Sequence, residues 1–224
     1  MKRLILLMIT CYCLLPGHAN TDIASDSLLQ VLQTLPHDTT RLSTLNDIIK
    51  IEQNNYKCIQ YSDTLMQEAL KLKNDKYASL AAYYHLLYYY NRSEQDSVAK
   101  WIVRMEPYVQ RSGLWDYFFD AQRFQIDLYT FTEQYELAIS EANKMKQKAL
   151  NTNSNRGTVA AYQCLSNAYI GSQRWDEGLK ALEEAYRLLP KKGNAVVHIS
   201  VLSQLISVTK EMKDNNRQLK YLQE

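Results

Sequence analysis

Glycine and proline are scarce in this chain, which has six of one and four of the other in 224 residues. Average usage would make the pair about 12% of a sequence. Sheets folded from many short strands need such residues at their corners. The shortage therefore argues against sandwiches and barrels, and for helices joined by short connections. The glycines never fall into G-x-G-x-x-G or a phosphate-cradling loop. Histidine is thin as well. Beyond His18 there are only His37, His85 and His198, with no pair at ligand spacing and no H-E-x-x-H. After residue 19 the only cysteines are Cys58 and Cys164, so no C-x-x-C remains there. These absences predict a non-catalytic protein with no cofactor and no metal, in which His85 is a packed or partly exposed residue rather than a ligand.

Long apolar runs are also missing, except at the start. Lys2 and Arg3 precede an apolar run from Leu4 to Leu15, followed by Pro16, Gly17, His18 and Ala19. A basic start, a short apolar segment and a small-x-small end make the pattern of a secretory signal peptide, residues 1–19, cleaved after Ala19. The run is shorter than the roughly 20 residues of a membrane span. An uncleaved anchor is the alternative, and lipoprotein processing at Cys11 or Cys13 is a weaker one. Export to the periplasm or cell envelope follows from the first reading. Without Lys2 and Arg3 the 26 basic residues fall to 24, matching the 24 acidic ones. A neutral mature chain gives no long-range attraction for nucleic acid or for an anionic membrane. Export permits a disulfide, but Cys58 and Cys164 are too far apart in sequence to meet in a repeat array, so two buried thiols are expected.

What the chain has is a repeated helix pair. From about Val159 to Lys192, Tyr162, Leu165 and Tyr169 share one helix face, and Gly171 and Ser172 interrupt it. Trp175, Gly178, Leu182 and Ala185 share a second face, and Pro190 stops it. Gly178 and Ala185 are small where the two helices cross, and Trp175, Tyr169 and Leu182 fill the space around the crossing. Helices this short cannot bury those faces alone and must stack on neighbours. Weaker copies run through Tyr83, Leu86, Tyr90, Ala99 and Val103, and through Tyr129, Tyr135, Ala138 and Ala142 with Gln125 in the leucine position. Others run through Ile49, Ser62, Met66 and Ala69, and from Leu205 to Gln218 and Leu222. The small-residue markers Ser62, Ala99, Ala138, Gly178 and Gln218 advance by 37, 39, 40 and 40 residues. Long connections such as Asn151 to Gly157, "NTNSNRG", account for the length.

Tyr162, Leu165, Ser166, Tyr169, Gly178, Leu182, Ala185 and Pro190 stand in the order and spacing of the tetratricopeptide repeat (TPR), which the chain resembles. The resemblance implies an all-α fold, a right-handed α-solenoid of stacked antiparallel helix pairs. About five repeats would span 39–79, 80–118, 119–158, 159–198 and 199–224, the last incomplete. Residues 20–38 form a leader, in which Ser27 to Leu35 is a short capping helix closed by Pro36. The family's unit is about 34 residues, so this array is slightly lengthened.

In the run Ala82 to Tyr90, "AYYHLLYYY", Tyr84 and Tyr88 lie four residues apart on one helix side. In the family such a side lines a concave groove, where Tyr84 and Tyr88 would be exposed anchors for a ligand. Packing beneath an adjacent connection is the other reading. The same line continues through Arg92, then Asp120, Arg123 and Asp127, then Gln163 and Asn167. The Asp–Arg–Asp ladder also reads as a self-neutralised face. The implied partner is a protein or peptide in the groove, with self-association left open. Signal peptide, leader and repeats together resemble the periplasmic input region of Bacteroidetes-type membrane sensors, whose histidine kinase or DNA-binding output lies downstream. A free-standing exported scaffold or assembly factor is the alternative.

Overall fold

The computed structural model describes residues 18–52, 56–189 and 195–223, with side chains from Ser25 onward. Most of the segment read as a signal peptide, including Cys11 and Cys13, lies outside the described residues, as does Pro190. Among the described residues eleven helices follow in chain order: α1 His18–Thr34, α2 Thr39–Glu52, α3 Lys57–Lys71, α4 Asp75–Tyr90, α5 Gln95–Ser112, α6 Trp115–Phe131, α7 Tyr135–Asn151, α8 Asn155–Gly171, α9 Trp175–Leu188, α10 Ala195–Glu211 and α11 Asn215–Leu222. The described residues contain no strand, and none of their helices is long and apolar enough to cross a membrane.

Each helix packs on its sequence neighbours, the arrangement of an all-α solenoid. The first helices of successive pairs also touch: α2 meets α4, α4 meets α6 and α6 meets α8. The second helices α3, α5, α7 and α9 make no comparable contact with one another. A layer packed more closely than its partner lies on the inside of a curved array, so α2, α4, α6 and α8 form the inner layer. At the leading end, α1 seats Leu32 in the core and covers α2. Ser25 Oγ donates to Glu52 at 2.7 Å, and Arg41 joins the Leu32 carbonyl to Glu68. This helix begins earlier than the capping helix expected from Ser27.

A short backbone device repeats along the chain. Lys73, Ser93, Gly113, Glu133, Asn153 and Gln173 have φ of 51°, 57°, 74°, 59°, 53° and 64°, and Lys213 has 59°. The first six stand 20 residues apart, and 40 separate the last two. At the six non-glycine corners the next amide reaches back five residues, as in Asn74 to Ala69, Gln134 to Tyr129 and Arg174 to Tyr169, each at 2.8 Å. The left-handed residue itself donates three residues back, as Gln173 does to Ile170 at 2.9 Å. This is the Schellman ending, which satisfies carbonyls that a terminating helix leaves open. Glycine usually holds the left-handed position; among the described residues it does so once, at Gly113. At some corners the following residue caps the next helix: Asn74 accepts from Tyr77 N–H, Ser154 from Gly157 and Asp214 from Arg217.

These corners correct two expectations. The polar stretch Asn151 to Gly157 is not a long connection. Only Thr152 to Ser154 lie between α7 and α8, and its outer residues belong to helix ends. The extra length resides in the helices. The repeat markers also shift. The buried stripes of the second helices are Cys58, Ser62, Leu65 and Ala69; Val98, Ile102, Met105 and Val109; Ala138, Ala142, Met145 and Ala149; and Gly178, Leu182 and Ala185. Their first members advance by 40 residues, not 37 or 39. Val98 holds the position assigned to Ala99, and Cys58 the one assigned to Ser62. First helices begin at Asp75, Trp115, Asn155 and Ala195, so starts at 80, 119, 159 and 199 fall inside them.

The apolar interior is nearly continuous from α1 to α9, with a second cluster joining α8, α9, α10 and α11 through Val159, Leu182, Val201, Leu205 and Tyr221. Leu165, Leu182 and Ala185 are buried, while Tyr162, Tyr169 and Trp175 are half-buried against these clusters. Gly178 and Gly157 allow close approach: a Cβ on Gly157 would meet the Phe119 ring at 2.5 Å. Cys58 and Cys164 are free thiols, both buried, and burial pushes both above the usual thiol range.

Candidate functional site

The 40-residue spacing decides which side chains share the inner face. Gln163 and Asn167 of α8 correspond to Arg123 and Asp127 of α6, and these to Tyr83 and Leu87 of α4. Asp120 lies one turn before Arg123. This places Tyr83, not Tyr84, in line with the charged ladder. The contacts agree: Tyr83 packs edge-on to Tyr117, centroids 5.0 Å apart, and lies 6.4 Å from Phe124. Tyr90 meets Phe124 at 4.5 Å. Burial, followed by the charge of Asp120, pushes the Tyr83 hydroxyl up to about 12.

Three residues placed in the groove from sequence belong elsewhere. Tyr84 is not an exposed anchor. It is 4% exposed and donates its hydroxyl to Asn46 Oδ1 of α2 at 2.9 Å, which makes it part of the packing between α2 and α4. Tyr88 follows His85 by one turn. His85 faces Trp101 of α5 and Asp63 of α3, so this side of α4 looks toward the outer layer. Tyr88 is half-buried there, with the Arg92 guanidinium 3.4 Å from its ring centroid and Arg92 Nη1 donating to the Tyr88 carbonyl. A one-residue slip in the repeat turns a helix face by about 100°, enough to exchange groove for packing.

The other five lie along the inner face. Arg123 stands between Asp120 and Asp127, at 3.9 and 3.7 Å, and 4.8 Å from the Phe124 centroid. Arg156 of α8 reaches Asp120 at 2.8 Å and Asp116 at 3.7 Å. Burial raises the Asp120 carboxyl against the pull of Arg156 and Arg123. Burial raises Asp127 as well, to about 6, with Arg123 alone pulling the other way. Gln163 Nε2 donates to Gln204 Oε1 of α10 at 3.2 Å, and Asn167 is exposed. The inner face thus passes from aromatic on α4 to charged on α6 and to amide on α8. Tyr117 and Phe131 remain 36% and 61% exposed beside it.

Sequence reasoning missed Tyr83, Leu87 and Tyr117 as members of this face, and Phe124, one repeat on from Tyr84, which packs α6 against Tyr83 and Tyr90 of α4 beside it. The 40-residue step from Arg123 to Tyr83 was the available signal. Elsewhere, a hollow of about 650 Å³ on the outer layer is lined by α7 residues including Asn143, Lys144 and Lys148. Those lysines pair with Glu141 and Glu106, which leaves no reactive arrangement. No group of three His, Cys, Asp or Glu residues that could hold a metal occurs among the described residues. No known family model matches this chain, and no curated protein matches it either.

Proposed function

We propose that this chain is a TPR-like, non-catalytic binding module whose inner face holds an extended segment of a protein partner. The observation carrying the proposal is the aromatic stripe Tyr83–Tyr117–Phe124–Tyr90 beside the Asp120–Arg123–Asp127 ladder, spanning α4 and α6. Partly exposed tyrosine and phenylalanine supply apolar area at little entropic loss, and flanking charges fix orientation. Side-chain amides on α8 can bond an extended backbone. The apolar leader sequence and the resemblance to exported sensor input regions support a further reading: the module belongs to an exported or membrane-anchored signalling protein and hands binding on to an output.

The test pans a displayed random-peptide library on residues 20–224 and measures affinity for the recovered peptides. Tyr83→Ala combined with Tyr117→Ala is expected to weaken binding at least about tenfold with helical content unchanged, the effect of losing a central anchor. Tyr84→Phe and the outer-face change Val103→Ala should leave affinity alone. Peptides insensitive to the inner-face pair and lost with Val103→Ala would overturn the proposal.

A further inference from the structure

His85 stands where the repeat elsewhere places a core leucine. Steps of 40 residues lead from Leu45 to His85, Gln125, Leu165 and Leu205, and all three leucines are buried. His85 is buried equally deeply, at 3% exposure. Its ring stacks flat on Trp101 of α5, centroids 4.0 Å apart and planes within 3°. Neither ring nitrogen has a hydrogen-bond partner of good geometry, although Nε2 lies 3.1 Å from Asp63 Oδ1 of α3. The polar member of the third pair is provided for: Gln125 Nε2 donates to the Tyr129 hydroxyl at 2.8 Å. His85 is therefore a titratable group in a core position, wedged where α3, α4 and α5 meet.

The charged groups acting on it are few. Asp63 of α3 favours the protonated ring, and its carboxylate is more than half exposed. Arg104 of α5, whose guanidinium sits 4.7 Å from the Trp101 centroid, opposes protonation. Neither α2 nor α6 contributes a charge to the balance. Burial, joined by Arg104, outweighs Asp63 and pushes the ring below its ordinary value of 6.5. The neutral ring fits the stack on Trp101. A charged ring there would be poorly solvated and would gain by a shift that lines Nε2–H up with Asp63 and brings Nδ1–H to water.

We propose that His85 makes the α3–α4–α5 joint acid-sensitive: proton uptake by its ring loosens the packing of α3 and α5 on α4 and gives the array a pH-dependent hinge. The sign follows from linkage. The unfolded joint binds the proton more readily than the folded one, so stability is full above about pH 6.5 and is lost as pH falls below it. This holds whether or not the inner face binds a peptide.

Hydrogen exchange of the whole chain between pH 7.5 and 5, corrected for intrinsic rates, tests it. Amides of α3, α4 and α5 are expected to open more often as pH falls, by up to about tenfold per pH unit for one proton. Amides of α9, which packs on neither the His85 joint nor α6, serve as the internal reference. His85→Leu restores the repeat residue and should remove the extra pH dependence. His85→Gln, the residue type found at position 125, should do the same and covers the case that leucine disturbs the stack. Asp63→Asn removes the charge favouring uptake and should extend the loosening to lower pH. An unchanged pH slope in α3–α5 of either His85 variant, once folded, would overturn the proposal.

Discussion

Gly178 of α9 lies against Ile170 of α8 so closely that a Cβ there would stand 2.6 Å from Ile170 Cγ1 and 3.3 Å from the Ser166 carbonyl oxygen. The carbonyl belongs to helix backbone and cannot move aside. Gly178→Leu is expected to destabilise the chain by roughly 1–3 kcal/mol through overpacking, read as a lower urea midpoint with unchanged slope. Gly178→Ala should cost less, because alanine's helix propensity returns about 1 kcal/mol. A neutral leucine variant would mean that this crossing is looser than the distances show.

The left-handed corners lead to a stabilising prediction. A side chain at positive φ costs about 1 kcal/mol or more that glycine avoids. Gln173→Gly and Lys213→Gly should each raise stability by roughly 0.5–1 kcal/mol, net of glycine's extra freedom when unfolded. Asn153→Gly should gain least, since asparagine tolerates this conformation best. Chemical denaturation of the three single variants gives the order directly.

Asp127 titrates in the opposite sense to His85. Its carboxyl is raised to about 6 by burial, so the folded chain binds a proton that the unfolded chain releases. The resulting stability is present at low pH and is lost as pH rises through about 6. Asp127→Asn should therefore be more stable than the parent at pH 7 by roughly 1–2 kcal/mol, discounted for the open side of the groove. Unfolding free energy measured from pH 4.5 to 7.5 should show the advantage shrinking as pH falls. A constant gap across that range would place the carboxylate's ionisation outside it.

Much of this organisation was legible in the sequence where residue types contrast. In α8 and α9, small, aromatic and aliphatic residues alternate against polar ones, and Leu165, Gly178, Leu182 and Ala185, which that contrast marks, are buried. The run from Ala82 to Tyr90 gave no such contrast. It is aromatic or aliphatic at nearly every position, so no face stood out and the groove line fell on Tyr84 instead of Tyr83. Ala99 beside Val98 produced the same slip in α5, because alanine looked like the small residue that the crossing needs. The corners escaped notice for a different reason. Lys73, Glu133, Gln173 and Lys213 carry no mark of left-handed backbone, and their conformation is imposed by the two helices they join.

Glu133 and Gln173 close equivalent turns 40 residues apart. A block cut between them could be deleted or copied, and the backbone would still leave one turn and reach the next with the same heading. Adding or dropping a single residue within a helix would instead swing everything beyond it through about 100°. Change by whole blocks therefore keeps every helix on its heading, and the inner layer of α2, α4, α6 and α8 would lengthen one helix at a time.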